Sequence, residues 1–301
     1  MASYNFLKQA RVYIVDSSSN QYELEVSNLD FSQTFTEKSR PVKTLHSQDM
    51  FEGSTITKAN PADFKLNVFA LQESDNKVVF DRLLDYQTFD LYIKTEESTF
   101  KLEKAVITNG SFLIQQLKSL SIEVSGQAKK LTRIGNSSYT IPGTIVPRSA
   151  DTTYNQVLRT KVLLGGQDIS STLSSISVEL QNEINWTPYS TVHLGIQVVN
   201  DSNTIYPENF TVSKRILAGN IKRFITDTNS GDVQSWSTDS TLNIKTGTFA
   251  SGNLTQGFEF DISNCSYTNR AAVATAFTEN YDWRMTQNPS SMADIITYIT
   301  A

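Results

Sequence analysis

The chain contains a single cysteine and only two histidines among its 301 residues. One cysteine cannot build a disulfide framework, and neither residue type occurs at the spacing of zinc ligands. No apolar run approaches the length of a membrane span, and the first residues lack the apolar core of a signal peptide. We therefore expect a protein that folds in a reducing cytoplasm and does not insert into a membrane.

Basic charge is also scarce. The net charge is −5 at pH 7, and residues 1–150 carry as many basic as acidic side chains, so the excess of acid lies in the second half. A protein that grips nucleic-acid phosphates needs a basic surface, and this composition argues against that class. The composition is compatible with a surface that repels phosphates.

Catalytic motifs are missing as well. No phosphate-binding glycine loop or nucleophile elbow occurs. His46 and His193 lack a carboxylate at ligand spacing, so we expect structural roles for both. Cys265 is predicted to be a buried small residue, and Glu96 and Glu97 a solvated hairpin turn. We expect no enzyme, no cofactor and no metal.

What the sequence does contain is a long internal repeat. The segment PVKTLH from Pro41 to His46 recurs as PYSTVH from Pro188 to His193, and three further segments match in the same order. The further matches are residues 61–64 with 207–210, 91–95 with 242–246, and 107–112 with 262–267. A unit of about 150 residues has the size of a domain. Two tandem copies of one fold are predicted, and a single large β-domain with accidental matches is the alternative.

The composition places the boundaries of these copies. We predict a first domain at residues 1–134, a linker rich in Gly, Ser and Pro at 135–158, a second domain at 159–288 and a C-terminal helical tail at 289–301. Many short alternating segments predict an all-β fold with one or two short helices per domain, arranged as antiparallel sandwiches or small barrels. The predicted helices are residues 75–84, with Asp75 as N-cap, and their repeat mate at 220–225.

One segment of the first copy does not fit a strand or a helix. Residues 38–60 have no sustained period but keep Met50, Phe51 and Ile56. We interpret them as an arm that orders against a neighbouring subunit. In the second copy the equivalent arm carries Val192 and Ile196, and part of each arm is predicted to form a β-hairpin.

The order of these elements resembles the tail tube proteins of long-tailed bacteriophages. The resemblance rests on an N-terminal strand pair, an arm over residues 36–61, a return strand at Phe64, one short helix and closing strands around residues 107–111. It implies tube domains whose strands line a continuous inner barrel, in rings that stack along the tail. It also implies that three chains with two domains each supply the six domains of one ring.

The resemblance further implies partners and a location. The partners would be other copies of the chain, the tape measure, terminator, and baseplate or tail-tip proteins, while DNA passes through without specific binding. The location would be the virion tail, after assembly in the bacterial cytoplasm. A tail-end, baseplate or tube-initiator component with the same domain is the first alternative to a major tail tube subunit.

Two further expectations concern surfaces. For a DNA conduit, Glu259, Asp261 and Glu279 are possible lumen-facing acids, and we expect Asp261 to face opposite to Glu259. An adhesive or carbohydrate-binding pair of sandwiches is an alternative of another class. It needs aromatic platforms, and the three tryptophans all lie in the second copy, at Trp186, Trp236 and Trp283.

Overall fold

The computed structural model describes residues 10–42, 51–135, 138–150, 152–187, 205–226, 235–273, 275–287 and 289–301. The first half contains β1 (Arg11–Val15), β2 (Asn20–Leu24), β3 (Val26–Ser32), β4 (Phe35–Val42), β5 (Phe51–Ala59), β6 (Ala62–Phe69), α1 (Lys77–Asp85), β7 (Phe89–Lys94), β8 (Thr99–Ile114), β9 (Ser121–Ala128) and β10 (Lys130–Arg133). The rest contains β11 (Thr144–Ile145), β12 (Arg159–Leu164), β13 (Gln167–Asp168), β14 (Leu173–Trp186), β15 (Phe210–Phe224), β16 (Trp236–Ala250), β17 (Asn253–Val273), β18 (Phe277–Met285) and β19 (Ile296–Ile299). The expected all-β fold with few helices is confirmed.

Eight of these strands form one continuous antiparallel layer. Their order is β3–β6–β9–β8–β14–β15–β18–β17, so the layer crosses from the first half to the second between β8 and β14. Along β6 and β9, buried and more exposed side chains alternate. This alternation is that of a sheet with one covered face and one face in solvent. We call the solvent side the open face.

The covered face packs against two smaller layers, one in each half. They are β2–β1–β7–β8–β10 and β13–β12–β16–β17–β19. The long strands β8 and β17 take part in both layers of their own half, so each half is a sandwich whose layers share one strand. Buried side chains of both sandwiches and of α1 form one hydrophobic cluster. The two halves therefore share a core.

Strand pairing follows the same pattern in both halves. Val12 of β1 lies opposite Ile93 of β7, and Val162 of β12 lies opposite Ile244 of β16. The strands β7 and β16 contain one of the segment pairs that match in sequence. Another matched pair lies in β8 and β17, each of which forms a hairpin with the following strand.

Two predicted helices are wrong. Residues 220–225 fall mostly in β15, where Ile221 lies opposite Ile176 on one side and Tyr281 on the other. Ile221 and Phe224 are three residues apart, the spacing of one helical turn, but in the strand they face opposite sides of the layer. In the C-terminal tail, Met292–Asp294 form a single 3-10 turn, and Ile296–Ile299 form β19 against β17.

The start of α1 also differs from the prediction. The helix begins at Lys77, and Asn76 precedes it without a capping bond from its side chain. The Asn76 amide instead donates to the carbonyl oxygen of Phe69 at 2.9 Å, and its oxygen accepts from Glu25 N at 3.0 Å. The carboxylate of Asp75 accepts from Ser149 N at 2.9 Å. These side chains fix the loop before the helix to its surroundings.

The segment between β10 and β12 lies along the first half. Its strand β11 pairs in parallel with β2, and Arg148 forms an ion pair with Glu25. The buried side chain of Asn155 donates to the carbonyl oxygen of Leu71 at 2.9 Å. Residues of the predicted linker are therefore docked against the first half.

Candidate assembly surface

The described residues do not gather a group that resembles a metal centre. No cluster of three or more His, Cys, Asp or Glu forms among them. Cys265 is buried as predicted, and burial raises the pKa of its thiol to about 11. Glu96 and Glu97 are exposed in the turn between β7 and β8, as predicted. Both histidines lie outside the described residues.

Within the described ranges, no helix has the length and apolar character needed to cross a bilayer.

The joint between the halves is a regular ladder of β8 with β14. It runs through six consecutive residue pairs, from Asn109 opposite Gln181 to Ile114 opposite Ile176. At Gly110 a Cβ atom would come 2.9 Å from Leu83 Cδ1 and closer still to Leu83 Cδ2. Glycine at this position lets α1 pack directly on β8 beside the joint.

A polar cluster ties α1 to the second half. Arg215 of β15 donates through Nε to Asn182 Oδ1 at 2.8 Å and through Nη2 to the carbonyl oxygen of Leu84 at 2.7 Å. Its guanidinium lies 5.0 Å from the centroid of the Tyr86 ring. Arg215 and Asn182 therefore satisfy carbonyl and amide groups that would otherwise be buried without partners. Burial lowers the pKa of Arg215 from its ordinary value.

The eight-strand layer ends in two different edges. In the described part of the chain, β3 pairs only with β6, and Leu29 N bonds to the neighbouring Asn28 Oδ1 at 2.9 Å. At the other end, the edge of β17 is covered by the start of β16. Trp236 lies opposite Thr268 there, but the ladder breaks on both sides of Ser240, and Trp236 is 64% exposed. We call residues Trp236–Ser240 the capping segment.

The open face is polar and nearly balanced in charge. About half of its side chains are Ser, Thr, Asn and Gln, and its charged residues on the layer strands are six acids and five bases: Asp30, Asp63, Glu123, Glu179, Glu183 and Asp282, with Lys65, Lys214, Lys222, Arg270 and Arg284. Lys65 lies 2.7 Å from Glu123, and Arg270 lies 3.3 Å from Asp282. These cations are partly paired, so the face is not a phosphate-gripping surface.

Glu259 and Asp261 lie away from the open face. They belong to the part of β17 that pairs with β16 and β19, and the intervening Phe260 is buried. The expectation that they face opposite sides is wrong, because residues two apart in a strand share a face. Glu259 forms an ion pair with Lys245 at 2.7 Å.

Glu279 points to the covered side of the layer. Its Oε2 accepts from Arg223 Nε at 2.7 Å and from the Tyr281 hydroxyl at 2.7 Å. Arg223 is only 3% exposed. Burial opposes ionisation of Glu279, but the hydrogen bonds from Tyr281 and Arg223 outweigh it and lower the pKa of this carboxyl. The carboxylate therefore neutralises a buried cation.

The first arm forms the predicted hairpin, because β4 pairs with β5 along its length. Ile56 is exposed on it, and Phe51 is the first residue of β5. Met50, Val192 and Ile196 lie outside the described residues. The bases of the two arms meet, since Ala59 N donates to Ile205 O at 2.9 Å and the rings of Phe35 and Tyr206 lie 6.4 Å apart.

The tryptophans do not offer a platform of several exposed rings. Trp283 is buried, and Trp186 is half-buried with its indole N–H donating to Gln127 Oε1 at 3.0 Å. Trp236 alone of the three is exposed. The three tryptophans therefore give the carbohydrate-binding alternative no support.

Comparison with known proteins gives one family. Residues 2–88 match the Bacteriophage Baseplate Tube Protein Family. This span runs through the end of α1 and includes the β4–β5 arm. No curated protein matches the chain. The match supports a phage tail-associated protein with a structural role in the tail or baseplate tube.

Proposed function

We propose that the chain is a ring-forming structural subunit of a phage tail tube, in which three copies supply six tube domains around a DNA conduit. The eight-strand layer carries this proposal, because its two halves already join edge to edge through β8 and β14. The corresponding strand pairings support two copies of one domain. The same joint between chains would close the layer into a barrel and remove its free edges.

The open face fits the wall of such a conduit. A duplex that passes it would meet more hydroxyl and amide groups than charged ones, and the acids of the face outnumber its bases. Each free cation along the path would add a phosphate contact and slow the passage of DNA. The acids of the wall would be open-face residues such as Asp30 and Glu179, in place of Glu259, Asp261 and Glu279.

The matched family favours a position in the baseplate. Its printed description names a baseplate tube, so we place the ring at the baseplate end of the tail, where it would contact other tail and baseplate proteins. A major tail tube subunit is the second candidate. The β4–β5 arm favours it, since the resemblance gives such arms to subunits that stack ring on ring.

Electron microscopy of the purified chain, with mass determination, tests the proposal. Rings of three chains are expected, and monomers at every concentration would contradict it. Long self-assembled tubes would identify the major tube subunit, whereas single rings would identify the baseplate component. Labelling the protein in virions distinguishes the same two positions, because a baseplate ring is confined to one end of the tail.

A further inference from the structure

We propose that the capping segment is a removable strand that covers the ring-closing edge of β17 until β3 of a second copy replaces it. The inference rests on the proposed ring. It starts from one correspondence between the halves. Leu180 of β14 lies opposite Gly110 of β8, and Ser240 of the capping segment lies opposite Cys265 of β17. Gly110 and Cys265 occupy the same place in the matched segments, so the capping segment fills the position that β14 fills in the first half.

β14 and the capping segment differ in how regularly they pair with their neighbouring strands. β14 pairs with β8 through six consecutive residues without a break. The capping segment pairs through Trp236, Ser237 and Ser240, and its ladder is irregular on both sides of Ser240. Trp236 and most of its neighbours are exposed, so the segment buries little apolar surface. A regular incoming strand would gain hydrogen bonds and burial that the capping segment does not make.

Only the second half has a capping segment, because the residues before β7 and before Leu242 fold differently. Before β7, the first half forms α1, which packs over Gly110 and leaves the edge of β8 to β14. Before Leu242, the second half continues as a strand along β17. Cys265 occupies in the second half the position that Gly110 occupies in the first. A side chain fits there because no described helix packs against β17 at this point.

The incoming strand is β3, because β3 is the counterpart of β14. Leu29 of β3 lies opposite Leu66, and Leu180 of β14 lies opposite Leu217. Transfer of the β8–β14 register sets Asn28 of one copy opposite Ser266 of the next. Within one chain, β3 and β17 are the first and eighth strands of the layer, roughly 34 Å apart along the sheet. Contact between them therefore reports on two different copies.

A disulfide lock tests the removal of the capping segment. Trp236→Cys with Thr268→Cys joins residues that lie directly opposite each other, a separation that a disulfide spans. Thr248→Cys with Gln256→Cys joins the same two strands where they stay paired, and it is the matched control. Oxidation of the first variant should abolish ring formation and reduction should restore it, while the control forms rings in both states. Ring formation by the oxidised lock would overturn the proposal.

Crosslinking tests the replacement strand. Asn28→Cys with Ser266→Cys should give covalent multimers on non-reducing gels, with more product than the displaced pair Asp30→Cys with Ser266→Cys. Equal yields, or no multimers from a protein that forms rings, would overturn the inference and leave the proposed function standing. Failure of the unmodified chain to form any ring would instead overturn the proposed function, and the inference with it.

Discussion

Leu180 of β14 lies directly opposite Gly110 of β8, at the joint that makes one eight-strand layer from the two halves. The same glycine lies under Leu83 of α1. Packing of the helix and continuity of the layer thus depend on one position without a side chain. A substitution at this position therefore affects both the packing of α1 in the shared core and the β8–β14 joint.

We expect Gly110→Ala to lower the free energy of unfolding by about 1–3 kcal/mol, because the added methyl group overlaps the buried Leu83 side chain. Urea denaturation measures the effect. Gly53→Ala in the arm is the matched control, since a Cβ there meets nothing within 4 Å. An unfolding curve for Gly110→Ala that coincides with that of the control would contradict the packing argument.

The sequence predicts the strands better than their joints. Period-two alternation identifies β1, β6 and β9, because each has one buried and one more exposed face. Matched segments also predict corresponding strands for β7 and β16. The helix prediction at residues 220–225 fails because Ile221 and Phe224 lie on opposite faces of β15, so that their spacing only imitates one turn of a helix. The β8–β14 joint and the capping segment leave no local pattern, since they depend on contacts between distant residues.

The Arg215 cluster gives a second prediction. Arg215→Met leaves Asn182 Oδ1 and the Leu84 carbonyl without their donor, which we expect to cost about 1.5–3 kcal/mol of stability. Lys214→Met removes an adjacent exposed cation and should change stability by less than about 0.5 kcal/mol. Both are measured by chemical denaturation. Similar losses for the two variants would show that the cluster does not tie α1 to the second half.

The lowered pKa of Glu279 predicts that the stability of the fold depends on pH. Its pKa is lowered in the folded protein, so its contribution to stability is present above the ordinary value of 4.5 and is lost as pH falls through the folded pKa. Glu279→Gln leaves the buried Arg223 charge unpaired, which we expect to cost about 3–5 kcal/mol at neutral pH. The gap between variant and native protein should shrink below pH 4.5.

Denaturation at several pH values measures that gap. The control is Glu97→Gln, which removes an exposed carboxylate in the turn before β8. We expect it to shift the unfolding free energy by less than about 0.5 kcal/mol. A constant gap for Glu279→Gln between neutral and acid pH would mean that its carboxylate is not preferentially charged in the fold.

We expect the β4–β5 arm to be needed for ring assembly but not for folding of the subunit. Deletion of residues 48–57 removes most of β5 but keeps Ala59, whose backbone contacts the base of the second arm. We expect a folded subunit that fails to join rings, because the exposed Ile56 and its neighbours would contact another subunit. Circular dichroism and electron microscopy measure the two properties. Ile56→Ser is the milder variant, and an unfolded deletion protein would instead assign the arm to the core.

Charge reversal on the open face tests the conduit. Glu179 projects from the centre of the eight-strand layer, between Ser111 of β8 and Ala218 of β15, neither of which is charged. Glu179→Lys adds an unpaired cation to the proposed wall, so each ring would gain a phosphate contact at every copy. Asp261→Lys makes the same change on the solvent side of the second smaller layer and is the matched control.

We expect both charge-reversal variants to form rings, whereas only virions with Glu179→Lys should release their DNA more slowly. The delay should shrink at higher salt, because screening weakens the added phosphate contact. DNA release from adsorbed virions, followed by the fluorescence of a DNA-binding dye, measures the difference. Equal release for the two variants would place the path of DNA elsewhere than along the open face.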